Sequence, residues 1–265
     1  MSDTGKLFEK VLEDKVRTIP DKARLIETAR KKGRLLAVRG SMDYVEQVVT
    51  HVQTAEKAVV EAHRRPSNLT DFDVVFVGCP GRLNLSDWGA PLEAFLAAGG
   101  VLMTTDWCLK NFVQRLFPDT IRKRGIAQGT FPLRVLRPGH PLIEGIPDCE
   151  GTPWVVEAWS HRIEVLNPQR VEVVLDAPGM GGQRSAVLVN FNVGQGLVVH
   201  AISHFHLQGS KQSGEYVSAY ILTNVIDEAM RRRHPTTPKG IRILNKPAQL
   251  KPQGMPLRIR VLKSS

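Results

Sequence analysis

From residue 34 to residue 117 the chain alternates short apolar runs with amphipathic stretches, and that rhythm leaves few architectures open. Leu35-Leu36-Ala37-Val38 follows Gly33 and reads as a buried strand. Asp73-Val74-Val75-Phe76-Val77-Gly78 and Val101-Leu102-Met103-Thr104-Thr105 are apolar on both faces, as strands in a sheet covered on both sides must be. Helices are expected between them. Residues 43–51 place Tyr44, Val45, Val48, Val49 and Val52 on one face behind Ser41 as N-cap. Residues 87–98 are capped by Ser86 and stopped by Gly99-Gly100, and 108–117 form the next helix. Ala58-Val59-Val60 fits either a continuation of the first helix to Arg64 or a short strand; β-branching and the surrounding rhythm favour the strand. Strand–helix alternation of this kind predicts an α/β fold with a doubly wound, mostly parallel, flavodoxin-like sheet.

The second half changes character. Residues 154–159, 171–175, 186–190 and 197–202 read as strands joined by short turns, with Asn192-Val193-Gly194-Gln195-Gly196 as a hairpin connection. They predict an antiparallel extension at one edge of the sheet. Residues 214–233 form a long helix with Val217, Tyr220, Ile221, Val225, Ile226 and Met230 as its apolar stripe. At the other end, residues 6–32 read as two helices broken at Pro20, closing on Arg30-Lys31-Lys32-Gly33. Three regions follow: N-terminal helices over 1–33, an α/β domain over 34–233, and a tail over 234–265.

The net charge of +10 is confined to one place. From Arg231 to Ser265 there are ten Lys and Arg and no Asp or Glu, so the remaining 230 residues carry 26 basic against 26 acidic side chains. The same stretch holds five of the 17 prolines and two β-like pieces, Ile241–Leu244 and Leu257–Leu262. A basic tail suits nucleic acid, an acidic protein surface or anionic lipid, or it simply aids solubility. No aromatic residues interleave its charges, which counts against single-strand recognition. No apolar run approaches the ~18 residues of a membrane span, and the charged opening MSDTGKLFEKVLEDK lacks a signal-peptide core. Cys79, Cys108 and Cys149 have no paired spacing, which fits three reduced thiols. A cytoplasmic, soluble protein without a membrane span is expected.

In an open parallel sheet, ligands bind beyond the carboxyl ends of the strands. Four such ends are Arg39-Gly40-Ser41, Gly78-Cys79-Pro80-Gly81, Thr104-Thr105-Asp106-Trp107 and Ser203-His204-Phe205-His206-Leu207-Gln208. Together with the helix end Phe95-Leu96-Ala97-Ala98-Gly99-Gly100 and the run Gly194-Gln195-Gly196-Leu197-Val198-Val199-His200, this pattern resembles the class I glutamine amidotransferase-like superfamily over residues 34–233. The nearest resemblance is to its non-amidotransferase branches, of the trehalose-utilisation and the gliding and intraflagellar-transport kinds.

Active members of that family carry a nucleophilic Cys on a strand-to-helix elbow, with a His and a Glu two residues later. Here the elbow falls at Thr105 or Asp106, and Cys108 comes one or two residues late, inside the expected helix. Phe205-His206-Leu207-Gln208 resembles the family's Phe-His-Pro-Glu, but Gln208 replaces the Glu, and a neutral amide does not stabilise an imidazolium as a carboxylate does. The resemblance therefore implies a domain that has lost glutamine hydrolysis.

Other groups compete for a role. Cys79, at a strand end, is a candidate thiol or a small core residue. His204 and His206 share a strand face and, with Asp106 or His161, are the candidate ligands of a metal site, although their spacing matches no zinc signature. Gly179-Met180-Gly181-Gly182 lacks a strand–loop–helix context and reads as a turn. Trp107, Trp154 and Trp159 lie near strand ends, where core packing is the simpler reading. Three functions follow. The first is a non-catalytic binding or assembly module, without cofactor, that meets a protein partner through its N-terminal helices or tail. The second is a hydrolase, metal-assisted or not, using Asp106 and His206, with Gln208 and Cys79 beside them. The third is nucleic-acid binding through the tail.

Overall fold

The computed structural model describes residues 3–19, 21–181, 185–204 and 212–235. The chain divides into two units, Met1–Pro235 and Thr236–Ser265, and every described residue belongs to the first. His206, Gln208 and all of the basic tail beyond Pro235 lie outside the described residues.

Elements run in the order α1 (Asp3–Thr18), α2 (Lys22–Lys32), β1 (Arg34–Val38), α3 (Val45–Val49), β2 (Glu56–Val60), β3 (Val74–Val77), α4 (Leu85–Ala97) and β4 (Val101–Thr105). A π-helical turn over Leu109–Val113 then runs into α5 (Gln114–Leu116). After it come β5 (Ile121–Pro132), β6 (Arg134–Val135), β7 (Pro153–Val165), β8 (Val171–Asp176), β9 (Ala186–Val193), β10 (Gly196–Ala201) and α6 (Gln212–Arg233). Among the described residues, eight strands form one sheet in the order β2-β1-β3-β4-β10-β9-β8-β6. The pairs from β2 to β10 are parallel, and those from β10 to β6 are antiparallel. The doubly wound sheet with an antiparallel extension is thus present, and Glu56–Val60 is a strand.

Local chemistry explains most of the boundaries and corrects some expectations. β3 and β4 are buried along their whole length, as their two-sided apolar patterns require. α4 is capped by Asn84 rather than Ser86: the Asn84 carboxamide oxygen accepts the Ser86 N–H at 3.2 Å, and the Ser86 hydroxyl donates to the same oxygen. Ser41 caps nothing, because α3 begins only at Val45, with Tyr44 in the cap position and exposed. The segment 154–159 does not extend the main sheet. It lies in β7, which pairs antiparallel with β5 as a separate two-stranded sheet. Register shifts at Lys123/Ile126 and Ala127/Gly129 bend that ribbon, as bulges do.

α6 is buried almost all round, including the polar Thr223, Asn224 and Asp227. The sheet covers one side through β3 and β4, and α1 and α2 cover the other. The helix–helix layer encloses an ionic cluster. Asp227 Oδ2 receives Lys15 Nζ at 2.6 Å and Lys22 Nζ at 2.9 Å. Lys22 also meets Glu144 at 3.1 Å and Asn224 Oδ1 at 3.2 Å, while Lys15 donates to Thr223 Oγ1 at 2.9 Å. Both ammonium groups are completely buried, so the N-terminal helices are part of the body's interior packing.

Candidate functional site

The carboxyl ends of β3, β4 and β10 lie side by side in the sheet, and the residues that follow them converge. Cys79 follows β3, Asp106 follows β4 and His204 follows β10. One ligand-type atom from each lies within 4.8 Å of the others, and all three residues are buried. The sequence reading brings Asp106, His204 and Cys79 to this place. Gln208 and His206 lie outside the described residues.

Asp106 occupies the elbow. Its φ of 43° is left-handed, a conformation that Asp tolerates better than bulkier residues, and it turns the chain from β4 toward the π-helical turn. Its N–H donates to Ala201 O at 2.9 Å, tying the elbow to β10. The carboxylate accepts the His161 N–H at 2.7 Å and the Ser160 hydroxyl at 3.1 Å, both from β7. His204 also stands beside it, with Nε2 3.6 Å from Asp106 Oδ2. His204 Nδ1 lies 2.6 Å from Glu157 Oε2 on β7. Burial pushes the Asp106 carboxyl up to about 6, against the opposing pull of the His161 N–H, His204 and Ser160.

The thiols are poor nucleophiles. Burial raises the Cys79 pKa well above the ordinary range, with the Asp106 carboxylate acting in the same direction. Cys108 is fully buried, points its Sγ at Val77 O over 3.4 Å and is also raised by burial. The loop after β1 reaches over the ends of β3 and β4: Thr105 Oγ1 donates to the buried Asp43 carboxylate at 2.6 Å, and the Cys79 carbonyl accepts the Met42 N–H at 3.0 Å.

Several sequence expectations are corrected here. His161 contributes its backbone N–H and not its ring, which stacks on Trp107 with centroids 5.4 Å apart. His200 is buried away from the cluster, with Nδ1 2.8 Å from Thr104 Oγ1. Trp154 is a core residue, as expected, donating to Ile202 O at 3.2 Å. Trp107 and Trp159 are not. Trp159 is 64% exposed with φ 71°, and its carbonyl accepts the Trp107 indole N–H at 2.9 Å. The two line a cavity of about 320 Å³ with Arg82, Lys110, Lys123 and His161. Burial and these two lysines push the His161 ring down to about 4. Glu157, Ser160 and Asp43 escape the sequence reading. Each reaches the site only because β7 or the loop after β1 passes over a strand end, and nothing local in the sequence marks that crossing.

No protein-family model matches the chain, and no curated protein matches it. Solved structures do. A putative GMP synthase protein from Thermoplasma acidophilum aligns over 76% of this chain and 96% of its own, with TM-score 0.53 and 12% identity. PurLQS from Thermotoga maritima aligns over 74% and 98%, with TM-score 0.54 and 11% identity. A β-galactosidase from Bacillus circulans sp. alkalophilus matches at TM-score 0.51 and 13% identity; the chain spans 31% of its length. At these identities the likeness is one of fold alone: an α/β, flavodoxin-like fold shared with these proteins.

Proposed function

We propose that this chain is a glutamine amidotransferase-like protein that does not hydrolyse glutamine and acts as a binding module. The observation that carries the reading is the elbow: the position where a nucleophilic thiol would stand holds Asp106, a buried carboxylate fixed by the His161 N–H and the Ser160 hydroxyl. The nearby thiols of Cys79 and Cys108 are buried and held protonated. The contact surface we assign is the cavity beside the elbow, where Arg82, Lys110 and Lys123 surround Trp107 and Trp159. Three cations beside two indoles suit an anionic partner with a planar or apolar portion. Within the basic stretch from Arg231 to Ser265, Arg231, Arg232 and Arg233 are already paired with Glu144, Glu228 and Asp73, and the seven basic residues from Lys239 to Lys263 extend the same preference, to an acidic protein surface or to nucleic acid.

With glutamine as substrate, release of ammonia is expected to stay at the buffer background. Turnover that disappears in Cys79→Ser would overturn the reading. The binding half is tested by tryptophan fluorescence during titration with poly-glutamate and with a single-stranded oligonucleotide. Saturable quenching that weakens in the double variant Lys110→Glu/Lys123→Glu supports it, whereas no change up to about 1 mM ligand removes it.

A second reading, hydrolysis of a small molecule, is favoured by one arrangement. Glu157, His204 and Asp106 stand in the order of an orienting acid, a base and an elbow carboxylate. His204 is the described histidine of this arrangement, and His206, to which the sequence reading gives the role, lies outside the described residues. Rates with a panel of nitrophenyl esters and phosphate esters are then expected to fall at least about 100-fold in Asp106→Asn. Identical background rates in wild type and variant would eliminate it.

A further inference from the structure

The cluster at the strand ends has a geometry that hydrogen bonding alone does not explain. His204 Nε2 and Asp106 Oδ2 are 3.6 Å apart, beyond the roughly 2.7–3.2 Å of a normal N–H···O bond. It is, however, close to the separation of two ligand atoms on a tetrahedral ion. Bonds of about 2.0–2.2 Å to nitrogen and oxygen at a tetrahedral angle put the ligands about 3.4 Å apart. The Cys79 sulfur belongs to the same group, within 4.8 Å of both.

The groups that would orient such ligands are also in place. Glu157 Oε2 lies 2.6 Å from His204 Nδ1, within reach to fix the ring when Nε2, which faces Asp106, takes an ion. Asp106 is steadied by Ser160 and the His161 N–H, which are the kind of partners that hold a ligating carboxylate. Among the described residues, neither Asp106 nor Glu157 has a Lys or Arg within 4 Å. Two buried or half-buried carboxylates and a thiol therefore face one imidazole, and a divalent cation would balance them.

We propose that Cys79, Asp106 and His204 bind one divalent ion of the zinc class, with Glu157 as the positioning residue for His204. A thiolate, a carboxylate and an imidazole together form a borderline-soft set, which selects zinc or cobalt over magnesium or calcium. Binding displaces the Cys79 thiol proton to solvent. Three protein ligands leave a fourth position for water or a ligand atom. The ion would pin the ends of β3, β4 and β10 together under β7. The inference goes beyond the binding reading and does not depend on it, since the cavity lined by Trp107 and Trp159 can take a partner with or without an ion.

The test uses the full chain, stripped with a chelator, reloaded with Zn²⁺ or Co²⁺ and desalted. Elemental analysis is expected to find about one zinc per chain. The cobalt form is expected to show a near-ultraviolet thiolate-to-metal band and intense visible bands of tetrahedral geometry. Cys79→Ser, nearly isosteric, should lose the thiolate band, and Glu157→Gln should weaken cobalt affinity about 10–100-fold. His204→Ala should abolish stoichiometric binding; should it fail to fold, Cys79→Ser carries the test. Wild-type protein that keeps its circular dichroism but retains no stoichiometric metal overturns the proposal. So does a cobalt spectrum that is unchanged in Cys79→Ser.

Discussion

Asp227→Ala is expected to destabilise the protein by about 3–5 kcal/mol, a large share of the stability of any domain. The carboxylate lies between two completely buried ammonium groups, Lys15 at 2.6 Å and Lys22 at 2.9 Å. Removing it leaves Lys22 with Glu144 and Asn224, and Lys15 with a single neutral acceptor, Thr223. Urea denaturation measures the loss directly, and a change below about 1 kcal/mol would show that the charges are not desolvated as described. The same cluster makes stability depend on pH. Burial pulls Lys15 down from 10.5 to about 8, with Asp227 opposing. Between those values the unfolded chain binds more protons than the folded one, so this group's contribution to stability rises with pH across the window. The rise amounts to about 3 kcal/mol at one pKa unit per 1.4 kcal/mol. The difference between the pH profiles of wild type and Lys15→Met isolates it, because every other titratable side chain is common to both. Superimposable profiles would refute it.

Gly40→Ala is expected to cost about 3 kcal/mol or more, through overpacking that nothing nearby can relieve. A Cβ at this position would collide with the Cys79 carbonyl oxygen and lie 2.7 Å from the Gly78 carbonyl carbon and 2.8 Å from that of Cys79. All of these are backbone atoms, held in place by the β1–β3 pairing. The displaced Cys79 carbonyl is the acceptor for the Met42 and Asp43 N–H groups, so the loop carrying Asp43 would move with it. Gly89→Ala is the control. Its Cβ would meet only Leu116 Cδ1 at 3.8 Å inside α4, so up to about 1 kcal/mol of stabilisation is expected from helix propensity. Denaturation midpoints moving in opposite directions for the two substitutions would confirm that close backbone approach, and not glycine content, governs the site end of the sheet.

β1, β3 and β4 are legible because each is a short apolar run introduced by Gly or Asp and buried almost throughout, whereas β2, Glu56–Val60, is largely exposed and open to a helical reading. The same logic places Cys79 and Asp106 at the site, since both directly follow parallel strands. β5 is not legible. Ile121–Pro132 carries three basic residues and two glycines, and its alternation becomes visible only once β7 lies beside it. Trp107 and Trp159 mislead for a related reason: a tryptophan near a strand end is usually core, and these two are held out of it by a bond from the Trp107 indole to the Trp159 carbonyl. Lys15 and Lys22 read as surface charges on amphipathic helices, because the carboxylate that buries them is more than 200 positions away.

That separation also bears on how the chain is made. α1 and α2 leave the ribosome well before α6, the helix they cover. At about 5–20 residues per second the N-terminal pair waits roughly 10–40 s with Lys15 and Lys22 lacking Asp227. During translation those two helices therefore wait without the carboxylate that completes their buried ionic cluster, and they lock in place only once α6 arrives.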